Sequence, residues 1–222
     1  MAINSLLAIT GKKGRAKKCC DIDAGIAHLT LMLAAHGIDI TAVEPNKAMR
    51  DNGIKRTNTL TNVTWSEGTG EATGQPRNIF DLVTFGSSFN VCDRDLALKE
   101  TSRILKPGGW FACLWNHRSL ENEIQLTIES IIRTTIPNYD YGSRREDQQS
   151  IIDKSNLFET VLKLSSIIKH TLTIEGVVEA WCSHATLQRQ AGGQFSTIIE
   201  EIGNYLSSLN VKEIEIPYTT NI

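Results

Sequence analysis

The chain has 222 residues, 41% hydrophobic and 22% charged, with 23 Lys+Arg against 25 Asp+Glu. That length and balance describe one soluble globular domain able to bury its own core, and they exclude disordered, fibrous and disulfide-stapled classes. No apolar run approaches the roughly 18 to 20 residues that cross a bilayer, and the apolar patch at 3–9 precedes its basic residues, where a secretory leader would follow them.

Residues 1–20 carry Lys12, Lys13, Arg15, Lys17 and Lys18 and no acid, which leaves the rest of the chain at a net −7. This lead is short and has no interleaved aromatics, so nucleic-acid binding is not expected. A first strand is expected at 18–22. Cys19 and Cys20 are neighbours on it and point to opposite faces, so they read as small buried hydrophobes and not as a metal or redox pair. Together with Cys92, Cys113 and Cys182 they make an odd number without CxxC or zinc spacing, which suits reduced thiols in a cytoplasm.

From His28 the spacing of Leu29, Met32 and Leu33 predicts a helix that ends at Gly37. A strand follows at 38–43 and closes in Glu44, Pro45 and Asn46, with Asn46 the expected N-cap of a helix over 47–56. A weak strand is expected at 62–65 and a stronger one at 79–85. An amphipathic helix at 96–105 is stopped by Pro107, Gly108 and Gly109, and 110–115 supplies a fifth strand. Repeated strand and helix units joined by short loops imply an α/β fold, with a parallel sheet covered by helices on both faces. Beyond Trp115 a helix is expected at 124–136, a polar stretch at 137–149, a return to the sheet at 160–171, helices at 176–185 and 194–209, and a last strand at 211–218.

In an open parallel sheet the ligand sits at the carboxyl ends of the strands, around the first strand-to-helix turn. Here that turn reads Asp21, Ile22, Asp23, Ala24, Gly25, Ile26, Ala27, His28. A dinucleotide fingerprint asks for glycine at 23, 25 and 28, and only Gly25 answers. Asp21 and Asp23 would also repel a pyrophosphate from the helix N-terminus. The same carboxylates are compatible with S-adenosylmethionine, which has no phosphate and carries a sulfonium and an ammonium. Glu44, about 20 residues beyond the turn, is placed to accept ribose hydroxyls.

Those motifs, with Phe80, Asp81, Leu82 and Val83 and the run from Arg103 to Gly109, resemble the class I S-adenosylmethionine-dependent methyltransferases, in particular the small-molecule type 11 branch. The resemblance covers residues 18–117. It implies a Rossmann-like fold with a mostly parallel seven-stranded sheet and a helical insertion after the fifth strand. On that reading 1–222 is a single methyltransferase domain, with 18–117 the cofactor-binding core, 118–158 an insertion or lid, and 159–222 the completion of the sheet. It also implies S-adenosylmethionine as cofactor. Asp21 then matches the acid near the methionine end, Ala24 and Gly25 the loop beneath it, and Glu44 the ribose acid, with Pro45 and Asn46 beside it. Gly70 and Glu71 match the segment flanking adenine, and Phe85, Gly86 and Ser87 the loop facing the methyl-transfer centre. Asp23 and Ala27 stand where the family pattern has glycine. The Asp23 carboxylate either pairs with the cofactor's ammonium or fills the pocket.

Methyl transfer needs alignment and desolvation more than a fixed catalytic residue. Asn90 occupies a place where similar methyltransferases often show a histidine, and an amide takes up no proton. His117, just past the fifth strand, is the candidate base. His28, His170 and His184 read as structural or exposed. Tyr139, Tyr141, Arg144 and Arg145 are the candidate substrate contacts, able to stack on an aromatic or clamp a carboxylate. The expected partner is a small molecule, methylated at O, N or C, with neither membrane nor nucleic acid; a homodimer is left open. A catalytically altered domain that binds a ligand or partner is the alternative, and a nicotinamide oxidoreductase retains only the fold argument and Glu44.

Overall fold

A computed structural model describes residues 2–11, 18–141 and 146–222. Lys12, Lys13, Arg15, Lys17, Arg144 and Arg145 lie outside the described residues. In chain order the elements are α1 (Ala2–Thr10), β1 (Lys18–Ile22), α2 (His28–Ala34), β2 (Asp39–Val43), α3 (Lys47–Thr57), β3 (Val63–Ser66), β4 (Phe80–Gly86), α4 (Arg94–Ile104) and β5 (Leu105–Arg118). They continue with α5 (Glu123–Thr135), α6 (Gln149–Ser155), β6 (Ser165–Thr173), α7 (Ile174–Cys182), α8 (Ala185–Ala191), α9 (Phe195–Ser208) and β7 (Glu213–Asn221). The fold is α/β and Rossmann-like, with one seven-stranded sheet in the order β3-β2-β1-β4-β5-β7-β6. β1 pairs in parallel with β2 and β4, β2 with β3, and β4 with β5. The order therefore reverses between β1 and β4, the switch point at which such sheets take ligands.

The chain forms two compact units, one of residues 1–115, 147–166 and 221–222, the other of 116–146 and 167–220. In the first unit, alternate strand residues divide between two cores. Cys20, Ile22, Val83, Phe85 and Cys113 pack on one face with Leu98 and Ile104 of α4. Cys19, Ile40, Leu82, Ala112 and Leu114 pack on the other with Leu33 of α2 and Ile3 and Leu6 of α1. The adjacent cysteines thus serve opposite faces, both fully buried, as the pleat requires. In the second unit, Ile128 and Ile132 of α5 meet Val177 and Trp181 of α7 and Ile198, Ile202 and Leu206 of α9, all at helical spacing.

Several boundaries differ from the sequence reading. Residues 3–9, read there only as an apolar patch, lie in α1, whose Ile3 and Leu6 are buried. Pro107, Gly108 and Gly109 do not end one element and begin another. β5 starts at Leu105 opposite Phe80, bulges through the turn, and resumes pairing at Trp110 opposite Leu82. Residues 185–191 form a further helix, α8. The stretch 118–158, read as one insertion, divides between the compact units: α5 belongs to the second and α6 to the first.

Candidate active site at the strand ends

Ile22 at the end of β1 is level with Val43 of β2 and Phe85 of β4, and Val43 is level with Ser66 of β3. The residues that follow these strands therefore emerge at one edge of the sheet. Asp21, one residue earlier, is fully buried, and its two carboxylate oxygens accept the hydroxyls of Thr30 at 2.6 Å and Thr84 at 2.8 Å. Burial raises its carboxyl to about 6 despite those two hydrogen bonds. Asp21 is thus built into the floor of the site and braces β1 against α2 and β4.

Asp23, Gly25 and Ala27 all adopt left-handed backbone, at φ of 51°, 57° and 73°. The glycine-type path is retained even where the glycines are not. The Asp23 carboxylate accepts a hydrogen bond from the Cys92 thiol at 3.2 Å, and burial raises its pKa, as do the charges of Glu44 and Glu71. Burial and Asp23 in turn push the Cys92 thiol up, so it stays protonated and donates.

Glu44 is only 4% exposed, and its carboxylate is aimed by two backbone amides, Gly25 at 2.8 Å on one oxygen and Asn46 at 2.8 Å on the other. Each oxygen keeps lone-pair capacity for a further donor. Ala24 ties the first loop to β2 by donating its amide to the Val43 carbonyl at 3.0 Å. Asn46 caps α3, its side-chain oxygen accepting from Ala48 at 2.9 Å and Met49 at 3.1 Å. Arg50 donates to the Glu44 and Pro45 carbonyls and, on its other side, to Glu67.

The loop after β3 closes the remaining side. A Cβ on Gly70 would lie 2.6 Å from the Cys92 sulfur and 3.3 Å from a Phe85 ring carbon, so a side chain there would push the Cys92 thiol aside. Glu71 accepts the Asp93 amide at 2.7 Å. Phe85 is fully buried, while Gly86 and Ser87 are exposed, Ser87 with φ of 61°. Asn90, in a short 3₁₀ turn at Phe89–Val91, is 7% exposed and accepts the Trp115 indole N–H at 3.3 Å.

Residues 20–113 match the family model described as a methyltransferase domain. This segment is similar to the methyltransferase domain family. Over 97 residues the chain is 35% identical to the ubiquinone/menaquinone biosynthesis C-methyltransferase of Zymomonas mobilis, covering 42% of this chain and 40% of that one. The chain thus spans about two fifths of the curated relatives it matches. Among solved structures, a candidate type II methyltransferase of Anaeromyxobacter dehalogenans superposes with a TM-score of 0.67 at 14% identity, covering 99% of this chain and 92% of that one. The phosphoethanolamine N-methyltransferase 2 of Haemonchus contortus, solved with S-adenosyl-L-methionine, gives 0.52 at 15% identity, over 99% of this chain and 51% of that one. At such identities these likenesses concern the fold.

The first unit brings together Asp21, Asp23, Ala24, Gly25, Glu44, Pro45, Asn46, Gly70, Glu71, Phe85, Gly86, Ser87 and Asn90. His117, Tyr139 and Tyr141 belong to the second unit. Tyr139, read as part of a polar loop, is 1% exposed in that unit's apolar core, with its ring 5.3 Å from that of Tyr141. A buried core ring is unsuited to contacting substrate. Three polar side chains of the matched segment escaped the sequence reading: Thr30, Thr84 and Cys92. The threonines carry a faint signal, since a buried acid needs donors; Cys92 carries none, because only folding brings it to Asp23.

Proposed function

We propose that the chain transfers a methyl group from S-adenosylmethionine to an O, N or C centre of a small molecule. The observation that carries this reading is the buried Glu44 carboxylate, fixed by the Gly25 and Asn46 amides at the switch point within the matched segment. Its free lone pairs suit a ribose diol. The crevice chemistry agrees: the charges of Glu44 and Glu71 both act on Asp23, an environment that favours a cationic ligand over a phosphate. Gly70 and Glu71 would flank the adenine, and Asp23, Ala24 and Gly25 the methionine end. When bound, the cofactor supplies the activated methyl. The chain's own part is to orient it, exclude water, and leave Gly86 and Ser87 open toward the acceptor. Asn90 is held as an acceptor by Trp115 and moves no proton; His117 is the candidate base if the acceptor carries one.

A quinone precursor is the first acceptor to assay, since the Zymomonas mobilis relative is named for C-methylation in ubiquinone and menaquinone synthesis. Binding is tested by calorimetric titration with S-adenosylmethionine. A dissociation constant on the order of tens of micromolar or below supports the reading. Absence of binding at about 1 mM rules it out and leaves a domain that has lost methyl transfer.

A further inference from the structure

Asp23 stands in the left-handed region, at φ of 51°, where an L side chain is uncommon and the related pattern has glycine. Its side chain is not loose in solvent. The carboxylate is held by the Cys92 thiol at 3.2 Å, and Cys92 itself packs against the apolar cluster that contains Phe85. The charges acting on Asp23 are those of Glu44 and Glu71, both negative, so the group adds a further negative charge to an already acidic crevice. Such a charge acts differently on the two forms of the cofactor. S-adenosylmethionine carries a sulfonium cation; transfer of its methyl to the acceptor leaves S-adenosylhomocysteine, a neutral thioether with the same ribose, adenine and amino-acid ends.

We propose that Asp23 is a specificity-determining residue that makes the crevice hold the sulfonium form and release the thioether form, with Cys92 as the residue that positions its carboxylate. This rests on the methyltransferase reading given above and adds to it a built-in relief from product inhibition. A unit charge at several ångström in a protein-like dielectric is worth more than about tenfold in affinity, enough to separate two ligands that differ by one charge.

The test is paired calorimetric titration of the whole chain with S-adenosylmethionine and S-adenosylhomocysteine. Asn tolerates left-handed backbone, so Asp23→Asn removes the charge while keeping the path of the loop. It is expected to weaken S-adenosylmethionine by at least about tenfold while changing S-adenosylhomocysteine by less than about threefold. Cys92→Ala is expected to lose part of the same discrimination, and Cys92→Ser, which restores a donor, to recover it. Equal weakening of both ligands by Asp23→Asn would assign the carboxylate to the shared ammonium and overturn the proposal. Equal tightening by Asp23→Gly would show that the side chain only fills space, and would overturn it too. If the unaltered chain binds neither ligand, the methyltransferase reading itself fails, an outcome distinct from binding without discrimination.

Discussion

Asp21 is a carboxylic acid with no exposed surface, and burial raises it to about 6 against the donated hydroxyls of Thr30 and Thr84. Because the folded value lies above the unfolded 3.8, the native chain keeps this proton longer than the unfolded one. The Asp21 contribution to stability is then fully present below about pH 4, is lost as pH rises through about 6, and is level beyond; two units correspond to about 3 kcal/mol. Asp23, raised in the same direction, adds to the slope. Glu100 has the opposite sign. Burial pushes it up, but hydrogen bonds from Arg103 and Thr73 outweigh that and hold it at about 2, below its ordinary 4.5. Its contribution is present above about pH 4.5 and lost toward pH 2, so the two effects occupy different windows. Asp21→Asn is accordingly expected to flatten the fall between about pH 4 and 6 while leaving the acid limb in place. Urea unfolding across a pH series reads both limbs, and an unchanged slope in the variant would refute the assignment to Asp21.

Elements whose signals are local were legible in the chain, and those set by tertiary context were not. The α3 N-cap was readable because Asn46 follows a strand and opens a polar helix, and its side chain does accept from Ala48 and Met49. The strands β1, β2 and β4 were readable because they are short, carry apolar residues and are bounded by turn residues. β5 was misjudged at its start because Pro107, Gly108 and Gly109 look the same in a break and in a bulge; only the partner strand decides between them. Within the candidate site, Glu44 could be singled out as a candidate from its position at the end of a strand, whereas the Cys92 thiol reaches Asp23 across 69 residues, a contact no local pattern encodes. Asn46 joins cap and site, since its amide also aims Glu44. Asn46→Ala is expected to cost about 1 kcal/mol from the lost cap, while the retained backbone amide limits the loss of cofactor affinity to a few-fold. Chemical denaturation and calorimetry on the same variant measure the two separately. A many-fold affinity loss without a stability change would contradict the capping role.

At the scale of the whole chain, the segment that matches the family, 20–113, is not the segment that closes its own core. The first compact unit also takes in 147–166 and 221–222, which the chain reaches only after passing through the second. Ile151 and Ile152 of α6 and Phe158 beyond it pack, as does Phe111, on the apolar cluster of Phe80, Phe85 and Phe89. Phe158 stacks on Phe111 with ring centroids 5.4 Å apart and an interplanar angle of 29°. The chain end contributes as well: Leu164 and Ile222 exchange both backbone hydrogen bonds, each at 2.9 Å. A family boundary drawn after β5 would therefore strip one face of the sheet of part of its cover and leave apolar surface in water. Phe158→Ala in the full chain is expected to cost about 2 to 3 kcal/mol, less than a fully buried phenylalanine because the ring is only partly covered. A fragment ending at residue 117, lacking α6, Phe158 and the Leu164–Ile222 pair altogether, is expected to lose its cooperative urea transition and to bind a hydrophobic dye. Circular dichroism and dye fluorescence on fragment and full chain side by side decide it: a fragment that unfolds as sharply as the full chain would place the whole of the first unit's stability within the matched segment.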